Sequence, residues 1–202
     1  MSAPLADTNV PVAEGDVLAG KYRVERVLGQ GAMGIVVAAQ HIQLQQRVAI
    51  KFLTGRATRE VKGRFLREAQ LAYKLRNEHV ARVIDVGELE GGLPFMVMEY
   101  LSGQDLQQVL KAEGPMPLSE GIGFVLQVCE AMAEAHSAGI VHRDLKPANL
   151  FLTTSSDGSK MVKVLDFGIS KETNDPGESD GGMALTRTEA VLGSPLYMSM
   201  EQ

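Results

Sequence analysis

Cysteine and tryptophan are almost missing from this sequence. Its 202 residues contain one cysteine, Cys129, and no tryptophan. A single cysteine excludes an intrachain disulfide and argues against a cysteine-based metal site. It also fits a reducing compartment, so we expect a cytoplasmic protein.

Long apolar runs and an excess of positive charge are lacking as well. No segment approaches the ~20 consecutive apolar residues that a membrane-spanning helix needs. Residues 1–16 lack the basic and apolar parts of a secretory signal. The formal net charge of −5 argues against nucleic acid as a partner, because phosphate backbones are bound by basic surfaces.

The composition divides the chain into three regions. Residues 1–17 are small, polar and proline-containing, which predicts a flexible tail. Residues 18–101 contain several short apolar or β-branched segments, which are typical of strands. Residues 102–202 begin with helical spacing and then alternate short apolar segments with polar loops.

Two segments have the spacing of amphipathic helices. The first carries its apolar residues on one helical face: Val61, Phe65, Ala69 and Ala72. The second begins after Pro117, with Ser119 as the predicted N-cap, and ends at Gly139. Its predicted core face consists of Phe124, Val125, Val128, Ala131 and Ala135.

A G-x-G-x-x-G pattern is formed by Gly29, Gly31 and Gly34. A dinucleotide-binding turn needs a helix directly after the third glycine, but segment 35–39 is apolar, β-branched and typical of a strand. The pattern therefore favours a hairpin between antiparallel strands. That hairpin is either an ordinary glycine-rich turn or a loop whose backbone N–H groups cover the phosphates of a nucleotide.

Lys51 ends the next apolar segment after this hairpin. Taken alone, such a lysine is usually a solvated residue at a sheet edge. Its position one hairpin after the glycines also allows it to reach phosphate oxygens as a point charge. Glu68, on the first predicted helix, is a candidate partner, although glutamates on helices are usually exposed.

Five polar residues stand close together in the sequence His-Arg-Asp-Leu-Lys-Pro-Ala-Asn at 142–149. The carboxylate of Asp144 can accept or orient a hydroxyl proton. Lys146 can neutralise charge on a transferring group, and Asn149 offers a neutral oxygen to a hard cation. The guanidinium of Arg143 can bind an anion, above all a phosphate, through two parallel hydrogen bonds.

A further carboxylate, Asp166, opens the tripeptide Asp-Phe-Gly directly after the strand-like segment 162–165. The chain between Asp144 and Asp166 has room for one hairpin. Such a hairpin would return Asp166 beside Asn149. A carboxylate and an amide oxygen placed together could share Mg²⁺.

Together, in this order, these motifs resemble a eukaryotic-type (Hanks-type) serine/threonine protein kinase of the kind also found in bacteria, over residues 22–202. The resemblance implies an α+β, protein kinase-like two-lobed fold. Its β-rich N-lobe with one main helix is residues 18–101, and its helical C-lobe is residues 102–202. ATP and Mg²⁺ are the implied cofactors, serine or threonine hydroxyls of proteins are the implied substrates, and signalling is the implied role.

The resemblance also assigns the phosphate-binding part of a nucleotide site. The loop over the ATP phosphates would be Leu28, Gly29, Gln30, Gly31, Ala32, Met33, Gly34, Ile35 and Val36. Lys51 would pair with the α- and β-phosphates, and Glu68 would hold Lys51 in place.

The resemblance also assigns the residues that would contact the adenosine. Backbone groups of Glu99 and Leu101 are implied to bind adenine behind a Met98 gatekeeper. The implied contact of the ribose is Asp105. The implied contacts of the adenine faces are Ala49, Val36 and Phe151.

For the chemical step, the resemblance makes Asp144 the catalytic base and Lys146 its accompanying lysine. Asn149 and Asp166 become the metal ligands. Thr186 and Thr188 follow an acidic, glycine-rich segment and occupy the family's usual position for regulatory phosphorylation, with Arg143 as the implied partner. Both threonines remain open to interpretation as ordinary loop residues.

Two departures from the family pattern affect the expectations. Met200 stands where the family has proline before Glu201, and the sequence ends at Gln202, where family members continue into further helices. We therefore expect a C-terminally truncated catalytic domain with an incomplete helical C-lobe. Apolar residues left uncovered would favour self-association. A nucleotide-binding or partner-binding module with little turnover is the alternative function.

Overall fold

The computed structural model describes residues 12–31, 34–53, 58–167 and Tyr197. The chain divides into two compact units. The first unit combines Met1–Arg76 with Ala81–Ser102, and the second combines Asn77–Val80 with Gly103–Gln202. No helix among the described residues is long and apolar enough to cross a bilayer.

In the first unit, the part of the chain that the structure describes forms an antiparallel six-stranded sheet and one helix. The strands are β1 (Val17–Leu18), β2 (Tyr22–Gly31), β3 (Gly34–His41), β4 (Gln46–Phe52), β5 (Val83–Glu88) and β6 (Pro94–Glu99), in the spatial order β1-β2-β3-β4-β6-β5. Helix α1 (Arg59–Lys74) lies between β4 and β5 in the chain. The sheet begins at Val17, the last residue of the tail that we predicted, and Val17 pairs with Arg23. The N–H of Gly15 also donates to the Val24 carbonyl at 2.9 Å, so the end of the predicted tail contacts the sheet.

The two faces of this sheet carry different side chains, because successive residues of a strand point to opposite faces. One face forms a core of buried residues that includes Ile35, Val37, Val48, Ile50, Phe52, Phe95 and Val97. The other face is covered in part by α1, which packs Phe65 and Ala69 against Val83 and Met96. Lys51 pairs with Met96 and therefore belongs to this second face.

Helix α1 confirms the first helix prediction. Thr58 is its N-cap, and the hydroxyl of Thr58 accepts a hydrogen bond from the N–H of Val61 at 3.3 Å. The buried residues of the helix are Phe65, Glu68, Ala69 and Ala72. Three of these are apolar as predicted, and the fourth is a carboxylate, which requires a partner.

The described residues of the second unit form two α-helices and a three-stranded sheet. The helices are α2 (Leu106–Glu113) and α3 (Leu118–Ser137), and the strands are β7 (Gln104–Asp105), β8 (Leu150–Thr154) and β9 (Lys160–Val164), in the order β7-β8-β9. A 3-10 turn, Pro147–Asn149, leads into β8. The sequence analysis did not predict α2.

Helix α3 corrects two details of the second helix prediction. Its N-cap is Pro117 and not Ser119, which lies in the first turn, and the fixed φ of proline suits a helix start. Val125 is 61% exposed, because the buried face follows Phe124, Val128, Ala131 and Ala135, and Val125 lies one residue around from it. The predicted end is confirmed by Gly139, which has φ +72°.

Candidate active site

The glycine pattern lies on the hairpin that joins β2 to β3. Gly29 pairs with Val36, and Gly31 pairs with Gly34, in antiparallel register. This confirms the predicted hairpin. Ala32 and Met33, which complete the predicted phosphate loop, lie outside the described residues.

Gly34 and Gly29 differ in whether the fold requires a glycine at that position. Gly34 has φ +150°, and a Cβ at this position would overlap the carbonyl oxygen of Phe52 on β4. Packing of the hairpin against β4 therefore requires glycine there. A Cβ on Gly29 would meet no atom within 4 Å, so the fold itself does not demand glycine at position 29.

The neighbouring residues of the predicted loop differ in exposure. Leu28 is 39% exposed, and Val36 is half-buried and lies opposite Lys51 in the β3–β4 pairing. Ile35 is fully buried in the core of the other face. The side chain of Ile35 therefore cannot reach the face that carries Lys51, and only its backbone could serve a nucleotide.

Lys51 and Glu68 form a buried ion pair. The Nζ atom of Lys51 lies 3.6 Å from Oε1 of Glu68, and the two residues are 4% and 6% exposed. Strand β4 positions the lysine and helix α1 positions the glutamate. A charge this well removed from water is retained only with a partner of opposite sign. The pair therefore fixes an ammonium group on the second face of the sheet.

The end of β6 contains the predicted adenine contacts. Met98 pairs with Ala49 of β4 and packs against the apolar cluster under α1. The N–H of Glu99 donates to the carbonyl of Arg82 at 3.0 Å, and the Glu99 carboxylate accepts from the N–H of Arg82 at 2.7 Å. Since the Glu99 N–H is engaged in this way, the adenine hypothesis relies on its carbonyl, together with Leu101.

In the second unit, Asp105 and Phe151 face each other across the β7–β8 pairing. Asp105 is also the N-cap of α2, because its Oδ1 accepts from the N–H of Gln108 at 2.9 Å. The two predicted contacts of ribose and adenine in this unit are therefore neighbours. The helix start holds the carboxylate of Asp105 in place.

Asp144 is the centre of a polar cluster. It is 7% exposed, and its Oδ2 lies 3.0 Å from Nζ of Lys146. The side-chain amide of Asn149 donates to the Asp144 carbonyl at 2.7 Å and to Oδ2 at 3.2 Å. The structure thus brings together the three residues to which the sequence assigned the chemical step.

His142 supports this cluster, although the sequence analysis gave it no role. Its Nε2 donates to the carbonyl of Leu165 at 2.9 Å, and its Nδ1 accepts from the N–H of Asp144 at 3.3 Å. A neutral imidazole satisfies both contacts. Burial lowers the pKa of His142 below its ordinary value, although the Leu165 carbonyl and the carboxylates of Asp144 and Asp166 act to raise it.

The predicted return of the chain to Asn149 is confirmed. Strands β8 and β9 form a hairpin in which Leu150 pairs with Val164, and the N–H of Leu165 donates to the Asn149 carbonyl at 2.9 Å. Asp166 follows directly. Asp166 and Arg143 have φ values of +47° and +60°, which are unusual for residues other than glycine. Such backbone strain costs about 1–3 kcal/mol per residue and is concentrated at functional sites.

The donor set fits Mg²⁺ bound together with a nucleotide. The described residues contain no cluster of three or more His, Cys, Asp or Glu side chains that could hold a metal alone. Because the nitrogen of the Asn149 amide points to Asp144, the oxygen of that amide faces away from it. Mg²⁺ commonly takes one or two protein oxygens and completes its shell with phosphates and water. Asn149 and Asp166 would supply those protein oxygens.

Part of the predicted site cannot be placed. Thr186 and Thr188 lie outside the described residues, as does Gly168 of the Asp-Phe-Gly tripeptide. Arg143, their implied partner, is exposed.

Known proteins resemble this chain over most of its length. A protein kinase domain model matches residues 22–202. The serine/threonine-protein kinase pkn3 of Myxococcus xanthus is 43% identical over 190 residues, which cover 93% of this chain and 34% of pkn3. PknB of Mycobacterium tuberculosis is 38% identical over 190 residues, which cover 92% of this chain and 29% of PknB. The chain thus spans about a third of the length of these relatives.

Solved structures agree with the sequence comparison. The crystal structure of the Mycobacterium tuberculosis PknI kinase domain has a TM-score of 0.67 and 37% sequence identity, and the match covers 78% of this chain and 63% of that chain. Rad53 in complex with AMP-PNP has a TM-score of 0.64 at 29% identity, over 74% of this chain and 38% of that chain. The predicted α+β fold of a protein kinase is therefore confirmed. This chain belongs to the protein kinase domain family, among relatives that are bacterial serine/threonine kinases of the Hanks type.

Proposed function

We propose that this chain is the catalytic portion of a serine/threonine protein kinase, which transfers the γ-phosphoryl group of Mg-ATP to hydroxyl groups of proteins. The observation that carries the proposal is the cluster around Asp144. A buried carboxylate lies within 3.0 Å of the Lys146 ammonium and 3.2 Å of the Asn149 amide. These are the groups that phosphoryl transfer to a hydroxyl requires.

Asp144 would act on the acceptor. Its carboxylate accepts the proton of the substrate hydroxyl, or orients that hydroxyl as the nucleophile. The two hydrogen bonds from the Asn149 amide hold the carboxylate and its own carbonyl in one orientation. Lys146 neutralises part of the charge that develops on the transferring group.

Residues of the first unit would bind the nucleotide. Lys51, fixed by Glu68, supplies a point charge for the α- and β-phosphates. The open space at Gly29 allows backbone N–H groups of the hairpin to approach phosphate oxygens without a side chain in the way. Val36 and Ala49 would contact the adenine ring, whose edge would meet the backbone of Glu99 and Leu101.

Asn149 and Asp166 would hold Mg²⁺, which would supply positive charge to offset the negative charge of the phosphates. Asp105 and Phe151 would complete the binding of ribose and adenine in the second unit.

Phosphorylation of Thr186 or Thr188, paired with Arg143, would regulate activity. Cytoplasmic location and self-association stay predictions.

The test is to incubate the purified chain with Mg-ATP and a library of serine- and threonine-containing peptides. Mass spectrometry should find phosphoserine or phosphothreonine in the library, and phosphothreonine in the segment that contains Thr186 and Thr188. Asp144→Asn, which preserves the size of the side chain, should lower transfer by about 10²–10⁴-fold. Nucleotide binding without any transfer by the unmodified chain would instead favour a binding module with little turnover.

A further inference from the structure

Strand β9 is the outer strand of the three-stranded sheet that the described residues form. It pairs with β8, and its other edge includes four backbone groups with partners outside the sheet: the Lys160 carbonyl, the Val162 N–H, the Val162 carbonyl and the Val164 N–H. Edge groups of this kind normally bind water or another strand. In this chain all four are bound by two residues from elsewhere in the second unit.

Gln127 of α3 binds the first two of these groups. Its Oε1 accepts from the N–H of Val162 at 2.7 Å, and its Nε2 donates to the carbonyl of Lys160 at 3.4 Å. The side-chain amide of Gln127 therefore imitates the edge of a neighbouring strand. A side chain without an acceptor at this position would leave the Val162 N–H unpaired.

His79 binds the other two groups. Its Nδ1 lies 3.0 Å from the carbonyl of Val162, and its own carbonyl accepts from the N–H of Val164 at 2.8 Å. The adjacent Val80 forms a parallel bridge with Val164. The outer edge of β9 is thus fixed in one register along its length, from Lys160 to Val164.

The register of β9 determines where the predicted metal ligand stands. Leu165, next along the chain, is held by the Asn149 carbonyl at its N–H and by His142 at its carbonyl. Asp166 then adopts a left-handed φ of +47°. A strained residue keeps such a conformation only when the backbone on its flanks is held firmly.

We propose that Gln127 is a positioning residue for the metal ligand Asp166, and that it acts by holding the register of β9. This inference rests on the proposed function, because it assigns Asp166 to Mg²⁺. Gln127 itself touches neither metal nor nucleotide in this scheme. Its effect should therefore be confined to Mg²⁺, whereas nucleotide affinity without metal should stay unchanged.

The experiment compares Gln127→Leu with Gln127→Glu. Leucine has a similar size but no acceptor, whereas glutamate retains the acceptor for Val162, which makes the shorter of the two bonds. Gln107→Leu is the matched control, since Gln107 is an exposed glutamine on helix α2. For each variant, binding of a non-hydrolysable ATP analogue is titrated against Mg²⁺, and amide exchange is measured at Val162 and Val164 by NMR.

Gln127→Leu should raise the half-saturating Mg²⁺ concentration about 10-fold, the lower end of the effects seen for residues that support metal ligands. It should also speed amide exchange of Val162. Gln127→Glu and Gln107→Leu should stay within about twofold of the unmodified chain in Mg²⁺ dependence. Should Gln127→Leu fail to fold, Gln127→Asn, which is one methylene too short to reach Val162, must produce the same selective effect.

The proposal is overturned if Gln127→Leu changes Mg²⁺ dependence by less than about twofold, or if it weakens metal-free nucleotide binding equally. If the unmodified chain still binds the analogue in a Mg²⁺-dependent way, either of these results leaves the proposed function intact. If the unmodified chain binds the analogue with no dependence on Mg²⁺, the assignment of Asp166 fails, and the proposed function fails with it.

Discussion

The two units of this chain hold the charged groups of the predicted site in different ways. In the first unit, Lys51 and Glu68 come from regular elements, a strand and a helix, and their pair is almost fully buried. In the second unit, Asp144, Lys146 and Asn149 come from a short turn region. There the Lys146 side chain remains 24% exposed.

This difference shows two physical routes to a fixed charge. The Lys51–Glu68 pair is fixed by the packing of the elements that carry it, so its geometry depends on the core around α1. The Asp144 cluster is fixed mainly by local hydrogen bonds to Asn149 and His142. We therefore expect changes in the first pair to affect stability strongly, and changes in the second cluster to affect chemistry more than stability.

The strongest effect on stability is expected from Lys51→Met. This change leaves the Glu68 carboxylate buried without its cation, which typically costs about 3–5 kcal/mol. Lys51→Met combined with Glu68→Leu should recover most of the free energy of unfolding, because a well-packed apolar pair can replace a buried ion pair. Urea denaturation of the single and double variants measures both quantities.

Phosphoryl transfer should not return with the stability of that double variant. The ammonium group that we assign to the phosphates would still be missing. Recovery of both stability and transfer would contradict the role of Lys51.

The corresponding change in the second unit is Asn149→Leu. It removes two hydrogen bonds to Asp144, and each contributes about 0.5–1.5 kcal/mol to stability. Transfer should fall at least about 100-fold, because the change also removes a proposed metal ligand. Urea denaturation measures the stability of this variant, and the rate of phosphopeptide formation measures its transfer activity. A loss of stability as large as that of Lys51→Met would break the contrast between the units.

Within the first unit, Gly34 and Gly29 distinguish a glycine that the fold requires from one that it does not. Gly34→Ala should cost about 1–3 kcal/mol, since a Cβ would overlap the Phe52 carbonyl and φ is +150°. Gly29→Ala should change stability by less than about 0.5 kcal/mol, because a Cβ there meets no atom within 4 Å. Thermal unfolding compares the two variants. Equal destabilisation would mean that position 29 also serves the fold.

A further, moderate effect on stability is expected from pH. Burial lowers the pKa of His142, so between that lowered value and about 6.5 the unfolded chain binds a proton that the folded chain does not. The stability contributed by neutral His142 is therefore fully present above pH 6.5 and is lost as the pH falls toward the lowered pKa. One proton contributes at most about 1.4 kcal/mol per pH unit.

Replacing His142 by glutamine, which does not titrate, isolates this contribution. Urea denaturation from pH 7.5 to 5 should show a smaller loss of stability in His142→Gln than in the unmodified chain. Parallel curves would mean that His142 does not supply the pH dependence.

Residue identity at fixed spacing allowed much of the site to be predicted from the sequence. Three features are formed by residues that are near one another in the sequence. They are the glycine hairpin, the return of the β8–β9 hairpin to Asn149, and the cluster of Asp144 with Lys146. The Lys51–Glu68 pair lies further apart, but both residues belong to elements with a clear apolar period. Their pairing follows once α1 packs on the sheet.

Other features could not be predicted, because they depend on tertiary contacts or on small shifts of helical phase. The contact of His142 with Leu165 exists only after the β8–β9 hairpin has folded back. Val125 is an apolar residue beside a buried one, and nothing in the local sequence distinguishes the two positions. Helix α2 had a usable signal, since Asp105 precedes Leu106 and Val109 at helical spacing, but Asp105 was assigned only to ribose.

The most direct test of the central claim is a calorimetric titration with a non-hydrolysable ATP analogue, with and without Mg²⁺. We predict that the unmodified chain binds the analogue more tightly with Mg²⁺, that Asp166→Asn loses this gain, and that Lys51→Met with Glu68→Leu weakens binding in both conditions. An affinity that is the same with and without Mg²⁺, or an affinity that is unchanged in both variants, would contradict the account.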